Sequence, residues 1–301
     1  KSIESGTSVV SEGTFRIAVK HTDSAEVWDS MMTMIFTLSE TSELTKHWHT
    51  LGATDQIVEA LKKHTKHAKL CISAYEAVLH LSSNKNASTK FLQIGLCENI
   101  LGAMKTHINT ELNTETALET LCALVVSSDG TAYITKLGST GACELLTQIL
   151  KIHVKREKIA SACCKLFFYL CGSNDPNRVK AGGACDDVVF ALKRHQKSVF
   201  VVENGCRAIA VLSQNEVNRT RLGRNACIQI VDAMKSHYDH AIVAEYSCLA
   251  ATRLTVKNDD NKATLHECGV NRRILAIIER HKTDKNVRER ATEAIQIFIE
   301  K

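Results

Sequence analysis

The residues best suited to chemistry are histidines that recur at a nearly constant interval along the chain. In most of these segments a lysine stands two positions before the histidine, as Lys62 stands before His64. Evenly repeated imidazoles suggest metal ligation or a proton relay. The ladder consists of His21, His64, His107, His153, His195, His237 and His281.

The spacing of this ladder argues against a shared metal ion. Successive members are about 42 residues apart, the length of one helical repeat, and stacked repeats lie roughly 10 Å apart. Zinc ligands sit about 2 Å from the metal, so two ladder members cannot bind one ion. We therefore predict that each histidine ends a helix and meets its last carbonyl groups.

One segment holds a denser set of metal-ligand types. His64, His67 and Cys71 are spaced so that one helical face would carry all three, and His47 and His49 lie one segment earlier. The alternative is a lysine-rich polar turn between two helices, which the sequence favours without deciding the matter. We predict no metal site and no cofactor.

The cysteines and the missing catalytic motifs limit the chemistry further. Most of the 12 cysteines lie among apolar residues, which predicts reduced, buried thiols in a chain of this length. The sequence contains no HExxH, GxSxG, Walker loop or dinucleotide-binding glycine motif. We therefore predict that the protein is not an enzyme.

The composition favours continuous helices around an aliphatic core. The chain of 301 residues has one proline, Pro176, and only 5% aromatic residues. Its net charge of +5 is small, so we predict no nucleic-acid partner. No apolar run is long enough for a membrane span, and no signal peptide is visible. We expect a cytoplasmic location and leave cytoskeletal, ciliary and nuclear locations open.

The histidines mark internal repeats that share one order of features. Twelve positions before each of the last six ladder histidines stands a glycine or, once, an asparagine. These residues are Gly52, Gly95, Gly141, Gly183, Asn225 and Gly269. We expect a left-handed backbone there, which glycine and asparagine tolerate best. Apolar residues four apart, such as Ile57 and Leu61, then predict an amphipathic second helix.

A third helix follows each histidine and carries one buried stripe. Its small or apolar residues fall at steps of 0, 4 and 7, as at Ala74, Val78 and Leu81. A short first helix precedes the next glycine, and its entry has the form Asn-x-x-Asn at Asn215 and Asn258. Asparagine at such a position caps the start of a helix.

This three-helix repeat resembles the armadillo family. The resemblance rests on the stretch from Gly183 to His195 and on Gly205-Cys-Arg-Ala-Ile-Ala-Val-Leu-Ser213, which look like the family's second and third helices. It covers about residues 13–300. It implies an all-α, right-handed armadillo-type solenoid of about six to seven repeats, forming one domain over residues 1–301. A piece of a longer chain would show the same pattern.

The resemblance implies protein recognition along a groove formed by the third helices. Importin-α-type grooves use Trp and Asn ladders, and the matching positions here hold neither, which argues against a nuclear-import receptor. β-Catenin-like grooves use a basic row, and Lys165, Arg207 and Arg253 would form a short one. The acidic residues that interrupt this row are Glu76, Glu119 and Glu293.

The predicted partner-binding residues lie on the third-helix face opposite the buried stripe. They are Glu76, His80, Glu119, Lys165, Tyr169, Arg207 and Arg253. We predict a non-catalytic scaffold or adaptor that binds segments of other proteins along the groove. The alternative is a regulatory or structural spacer in a larger signalling, cytoskeletal or ciliary assembly. The apolar residues Ile297 and Ile299 also predict packing of further chain or another subunit on the terminal repeats.

Overall fold

The computed structural model describes residues 12–21, 23–127 and 129–299. Within these ranges the chain forms 18 α-helices and no β-strand, and 81% of it is helical. The predicted all-α class is therefore confirmed.

No helix in the described ranges is long and apolar enough to cross a bilayer. The chain divides into two compact units, Lys1–Ala142 and Cys143–Lys301, so the single domain over residues 1–301 stays a prediction.

The first unit repeats an order of one short and two longer helices. Residues 12–18 are helical. The elements that follow are α1 (Ala25–Thr37), α2 (Ser42–Thr50), α3 (Ala53–Lys63), α4 (Ala68–Leu81), α5 (Lys85–Gln93), α6 (Leu96–Thr106), α7 (Glu111–Val126) and α8 (Gly130–Ser139). Helices α2 to α4 and α5 to α7 are thus complete three-helix repeats, in which α4 and α7 are third helices.

The second unit continues the same order. Its elements, beginning with α9 at the boundary residue, are α9 (Ala142–His153), α10 (Glu157–Cys171), α11 (Asp175–Ala181), a 3₁₀ turn (Gly182–Ala184), α12 (Cys185–Arg194), α13 (Val199–Leu212), α14 (Glu216–Ser236), α15 (Ala241–Thr255), α16 (Asp259–Glu267), α17 (Val270–Arg280) and α18 (Lys285–Ile299). Helix α14 joins a first and a second helix across a kink at Gly223. The third helices are α10, α13, α15 and α18.

Third helices pack on one another in order and form the core of each unit. Helix α4 lies against α1 and α7, and α13 lies against α10 and α15. The predicted stripe is buried, with Ala74, Val78 and Leu81 fully inaccessible to solvent. At Gly205 a Cβ atom would come within 2.7 Å of the Leu192 side chain. Glycine therefore allows α12 and α13 to approach each other closely.

The left-handed backbone predicted at six glycine or asparagine positions is present at four of them. Four glycines have φ between 77° and 88°, namely Gly52, Gly95, Gly141 and Gly269. The prediction is wrong for the other two repeats. Gly183 lies in the 3₁₀ turn without a positive φ. Asn225 is helical, and the positive φ of 46° falls on Gly223 two residues earlier. A nearby glycine supplies the turn there, so Asn225 has no need of that conformation.

Asparagine side chains start the first helices of the second unit, as predicted. The entry asparagines accept a hydrogen bond from the backbone N–H three residues later. These residues are Asn174, Asn215 and Asn258. The second asparagine of the motif connects repeats, since Asn218 Nδ2 donates to the carbonyl of Arg178 at 2.7 Å. The motif therefore both begins a helix and holds it to the preceding repeat.

The ladder histidines lie at the ends of the second helices, and four of them also join neighbouring repeats. His195 occupies the C-terminal cap of α12, and its Nε2 donates to the carbonyl of Val154 at 3.0 Å. Val154 directly follows the ladder histidine of the preceding repeat. The same bond, at 2.8 Å in each case, joins His237 to Gln196, His281 to Tyr238 and, in the first unit, His107 to Thr65. This shared role explains the regular spacing without any metal.

The cysteines are reduced, and nearly all of them lie in the core. None of the 12 forms a disulfide, and every one except Cys268 is buried. Burial raises the pKa of Cys164 to about 12 and that of Cys71 to about 11. Protonated thiols of this kind behave as small apolar side chains, as the sequence predicts.

Candidate protein-binding face

The predicted binding residues fall into both units, and each group is described by itself. Glu76, His80 and Glu119 lie on α4 and α7 of the first unit. The members in the second unit are Lys165 and Tyr169 on α10, Arg207 on α13 and Arg253 on α15. Only Glu119 is exposed, and the other six are partly buried. Partly buried polar groups make fixed contacts, so their partners decide what each can bind.

Arg207 is the centre of a stack that crosses three third helices. Its guanidinium carbon lies 5.6 Å from the ring centroid of Phe168 on α10 and 5.0 Å from that of Tyr246 on α15. The two rings also contact each other edge to face, with centroids 5.4 Å apart. Cation–π contacts at these distances stabilise the arrangement. The stack therefore fixes an aromatic surface on three successive repeats.

The charge of Arg207 is matched within the protein. Its Nη1 lies 2.7 Å from Oε1 of Glu203, one turn earlier on α13, and the two side chains are only 18% and 15% exposed. Asn204 Oδ1 lies 3.5 Å from the same nitrogen. The buried Nε of Arg207 has no hydrogen-bond partner among the described residues. Arg207 thus contributes shape and rigidity to the face more than free positive charge.

Arg253 contributes positive charge at the far end of this face. Its Nη1 donates to the carbonyl of Ala210 on α13 at 2.9 Å. Burial, together with the nearby charges of Arg290 and Arg178, holds the pKa of Arg253 below its ordinary value. Its proximity to two like charges means that an anion bound here would relieve electrostatic repulsion.

The remaining residues of the face complete a mixed surface. Tyr169 packs its ring against Phe168, with centroids 5.2 Å apart, and Lys165 lies one turn before it on α10. Burial raises the pKa of the Glu245 carboxyl on α15, and the charge of Arg290 partly offsets this. We call the set Lys165, Phe168, Tyr169, Arg207, Tyr246 and Arg253 the stacked face.

The corresponding positions of the first unit have a different character. Burial raises the pKa of Glu76, which the nearby His80 partly offsets. The His80 ring meets Phe36 edge to face at 4.7 Å, and its Nδ1 lies 3.4 Å from the carbonyl of Ser39. Glu119 is exposed. These three residues include no arginine or lysine, so they do not form a stack like the one in the second unit.

Two members of the suspected metal cluster, His67 and Cys71, make contacts within their own repeat. The Nδ1 atom of His67 accepts the backbone N–H of Leu70 at 3.1 Å and so caps α4. The Cys71 thiol is buried and lies 3.5 Å from the carbonyl of Thr65. Among the described residues, no group of three histidine, cysteine or acidic side chains is arranged to hold a metal ion.

Sequence reasoning missed the two aromatic residues that make the stack. Phe168 lies three positions after Lys165 on α10, and Tyr246 lies three positions before Leu249, which occupies the position on α15 that corresponds to Lys165. That offset places them on the same side of a helix, so a wider search of each helix face would have found them. At the chain's last described residue, Ile299 is 66% exposed, and packing of another subunit on it stays a prediction.

No family model and no curated protein matches the sequence. Solved structures do match. An engineered protein matches with a TM-score of 0.67 at 13% identity, and the match covers 82% of this chain and 96% of the engineered protein. A designed armadillo repeat protein in complex with the peptide (KR)4 has a TM-score of 0.63 at 18% identity and covers 81% and 98%.

A third match comes from work on a phosphorylation switch that controls the interaction between cadherin and β-catenin. Its TM-score is 0.65 at 12% identity, and the match covers 96% of this chain and 67% of that one. Identities this low show the fold alone. Since three-helix repeats, glycine turns and third-helix packing are all present, the chain has the armadillo-repeat fold.

Proposed function

We propose that the chain is a non-catalytic scaffold that binds an extended segment of a partner protein on the stacked face. The observation that carries this proposal is the stack of Phe168, Arg207 and Tyr246, in which contacts within the chain hold the three side chains together. Binding to a pre-ordered surface costs little side-chain entropy. Aromatic and arginine side chains also dominate the binding energy of many protein interfaces.

The charges of the face indicate the character of the segment. Glu203 neutralises Arg207, but neither Lys165 nor Arg253 forms an ion pair among the described residues. An acidic residue of the partner would therefore contact Lys165 or Arg253, while an apolar residue would rest on Tyr246. The proposal keeps the basic row predicted from the sequence, but only Lys165 and Arg253 remain in it as cations available to a partner.

The comparisons support a binding role without defining the partner. The designed armadillo protein is described with a peptide of alternating lysine and arginine. The stacked face carries cations of its own, so we propose an acidic segment rather than a basic one. A cytoplasmic or cytoskeletal location stays a prediction from the sequence.

Photo-crosslinking tests the proposal. Tyr169 is replaced by benzoylphenylalanine, and the control carries the same group at Leu275, which is 56% exposed on the second helix α17. After illumination in cell extract, mass spectrometry identifies the crosslinked peptide. We expect one acidic segment to crosslink from Tyr169 and not from Leu275, and a synthetic copy of it to compete.

Two results would contradict this proposal. Equal crosslinking from Tyr169 and Leu275 would show that the face has no special role. A synthetic peptide that fails to compete would show that the captured protein binds elsewhere, as expected for a spacer that contacts its assembly through its ends.

A further inference from the structure

The turns between second and third helices in the second unit lie side by side on one edge. The bond from His195 Nε2 to the Val154 carbonyl places the turn after α12 against the turn after α9. Ser198 Oγ also donates to Oε1 of Glu157 at 2.6 Å across the same junction. These contacts bring together residues that are far apart in sequence.

Positive charge is concentrated on this edge. Taken with the helix ends beside them, the two turns are residues 151–158 and 193–198. They contain seven basic residues, namely Lys151, Lys155, Arg156, Lys158, Lys193, Arg194 and Lys197. All seven are exposed, and Glu157 is the one acidic residue among them. Because the whole chain has a net charge of only +5, these turns account for its entire positive excess. The positive electrostatic potential of so many clustered cations attracts anionic surfaces.

Large apolar side chains are exposed along the same edge. Ile152 is 48% exposed in the first of these turns, and Phe200 is 68% exposed at the start of α13. Tyr238, 44% exposed, lies in the next turn, which His237 joins to the preceding one through the Gln196 carbonyl. Exposed apolar residues grouped beside cations mark an interaction surface.

We propose that this edge, which we call the basic edge, binds the surface of an anionic lipid bilayer. Such a surface presents phosphate and carboxylate groups above an apolar layer, so it matches both the lysines and the exposed Ile152 and Phe200. A nucleic acid would match the charges but would leave the aliphatic Ile152 without a counterpart, because bases stack on aromatic side chains. A polypeptide with acidic side chains alone, such as polyglutamate, would leave both Ile152 and Phe200 in water.

The corresponding turn of the first unit is a weaker candidate. It is also rich in lysine, but Lys63 forms an ion pair with Asp23, and Lys69 Nζ lies 2.7 Å from Oδ2 of Asp29. This segment, residues 62–69, also contains no large apolar residue that could enter an apolar layer. Of these turns, only those of the second unit therefore combine exposed cations with exposed apolar side chains.

Vesicle sedimentation with the full chain tests the proposal. We expect binding to vesicles of phosphatidylcholine mixed with phosphatidylserine, little binding to phosphatidylcholine alone, and release by salt. The variant Lys193→Glu/Arg194→Glu/Lys197→Glu should bind roughly 100-fold more weakly, since each basic residue near such a surface contributes about a five-fold factor. Phe200→Ser should weaken binding roughly ten-fold, because an apolar contact is lost.

A matched control separates this edge from net charge. Lys85→Glu/Lys257→Glu/Arg272→Glu makes the same charge change at exposed positions that do not belong to the basic edge and should bind within about two-fold of wild type. Circular dichroism confirms folding, and Lys151→Glu/Lys155→Glu replaces the first variant if that one unfolds. The proposal is overturned by equal loss in the control, by equal binding to both vesicles or to neither, or by tighter binding to duplex DNA or polyglutamate.

Discussion

The guanidinium carbon of Arg207 lies 5.0 Å from the centroid of the Tyr246 ring, although the two residues belong to different third helices. The same group faces Phe168 on the preceding third helix. One side chain therefore connects three repeats and also shapes the surface proposed to bind a partner. Substitutions here must be measured for stability as well as for binding.

Replacing Arg207 with alanine should lower the free energy of unfolding by about 1–3 kcal/mol, since the stack is lost and Glu203 keeps a buried charge without its ion pair. Urea unfolding followed by circular dichroism measures this loss. The double variant with Glu203→Gln should recover part of it, because the stranded charge is removed. An alanine variant as stable as wild type would show that the stack contributes nothing to the fold.

Replacing His195 with alanine should lower stability by about 1 kcal/mol, because one inter-repeat hydrogen bond to Val154 is removed. Gln196→Ala is the matched control, since His237 uses only the backbone carbonyl of that residue. Urea midpoints of the two variants provide the comparison. Equal midpoints for the two variants would contradict the role assigned to the ladder.

Thiol reagents should detect one reactive cysteine in the folded protein. Cys268 is the single cysteine that is not buried, so a reagent can reach it although desolvation also raises its pKa. Burial raises the pKa of Cys164 to about 12 and also keeps reagents away from it. Since the thiolate is the reactive form, the buried thiols should react only on unfolding. A colorimetric thiol assay should show one fast equivalent in wild type and none in Cys268→Ser. Several fast equivalents in native protein would contradict the buried core.

Acid should destabilise the first unit partly through Asp29. Its carboxylate accepts hydrogen bonds from Ser73 Oγ at 2.6 Å and forms an ion pair with Lys69. Burial alone would raise the pKa of Asp29, but these two partners outweigh it and hold the pKa below its ordinary value. The folded pKa is therefore the lower one. Asp29 stabilises the fold above its unfolded pKa of about 3.9, and this contribution is lost as the pH falls through the folded pKa.

Asp29→Asn should consequently be about 1–2 kcal/mol less stable at neutral pH, because charge-assisted hydrogen bonds are weakened. Between about pH 5 and about pH 3 it should lose less further stability than wild type. Urea midpoints measured across this range provide the comparison. If the plots of urea midpoint against pH are parallel for the two proteins, the pKa of Asp29 is the same in the folded and unfolded states, which contradicts this prediction.

The fold was predictable because its determinants recur at fixed spacing. Val78 and Leu81 are buried where the steps of the third helix place them, and the ladder histidines end the second helices. The error at Asn225 arose because a local alternative, Gly223, supplies the turn. One repeat can move a glycine without changing the helices around it, and spacing alone does not reveal such a shift.

The candidate site was less predictable, because contacts between helices decide the role of each side chain. Arg207 was predicted to belong to a short basic row, yet Glu203 lies four residues earlier on the same helix, a spacing that favours an ion pair. That pair was visible in the sequence. The approach of Phe168 and Tyr246 to the same guanidinium was not, since it depends on how three third helices pack.

The most direct test of the binding role is the affinity of the crosslinked segment for variants of the stacked face. A labelled synthetic copy is titrated against wild type, Lys165→Glu/Arg253→Glu and the control Lys85→Glu/Arg272→Glu, with folding checked by circular dichroism. We predict at least a roughly ten-fold higher Kd for the first variant, because two attractive charges become repulsive, and little change for the control. An unchanged Kd for Lys165→Glu/Arg253→Glu would contradict binding on the stacked face.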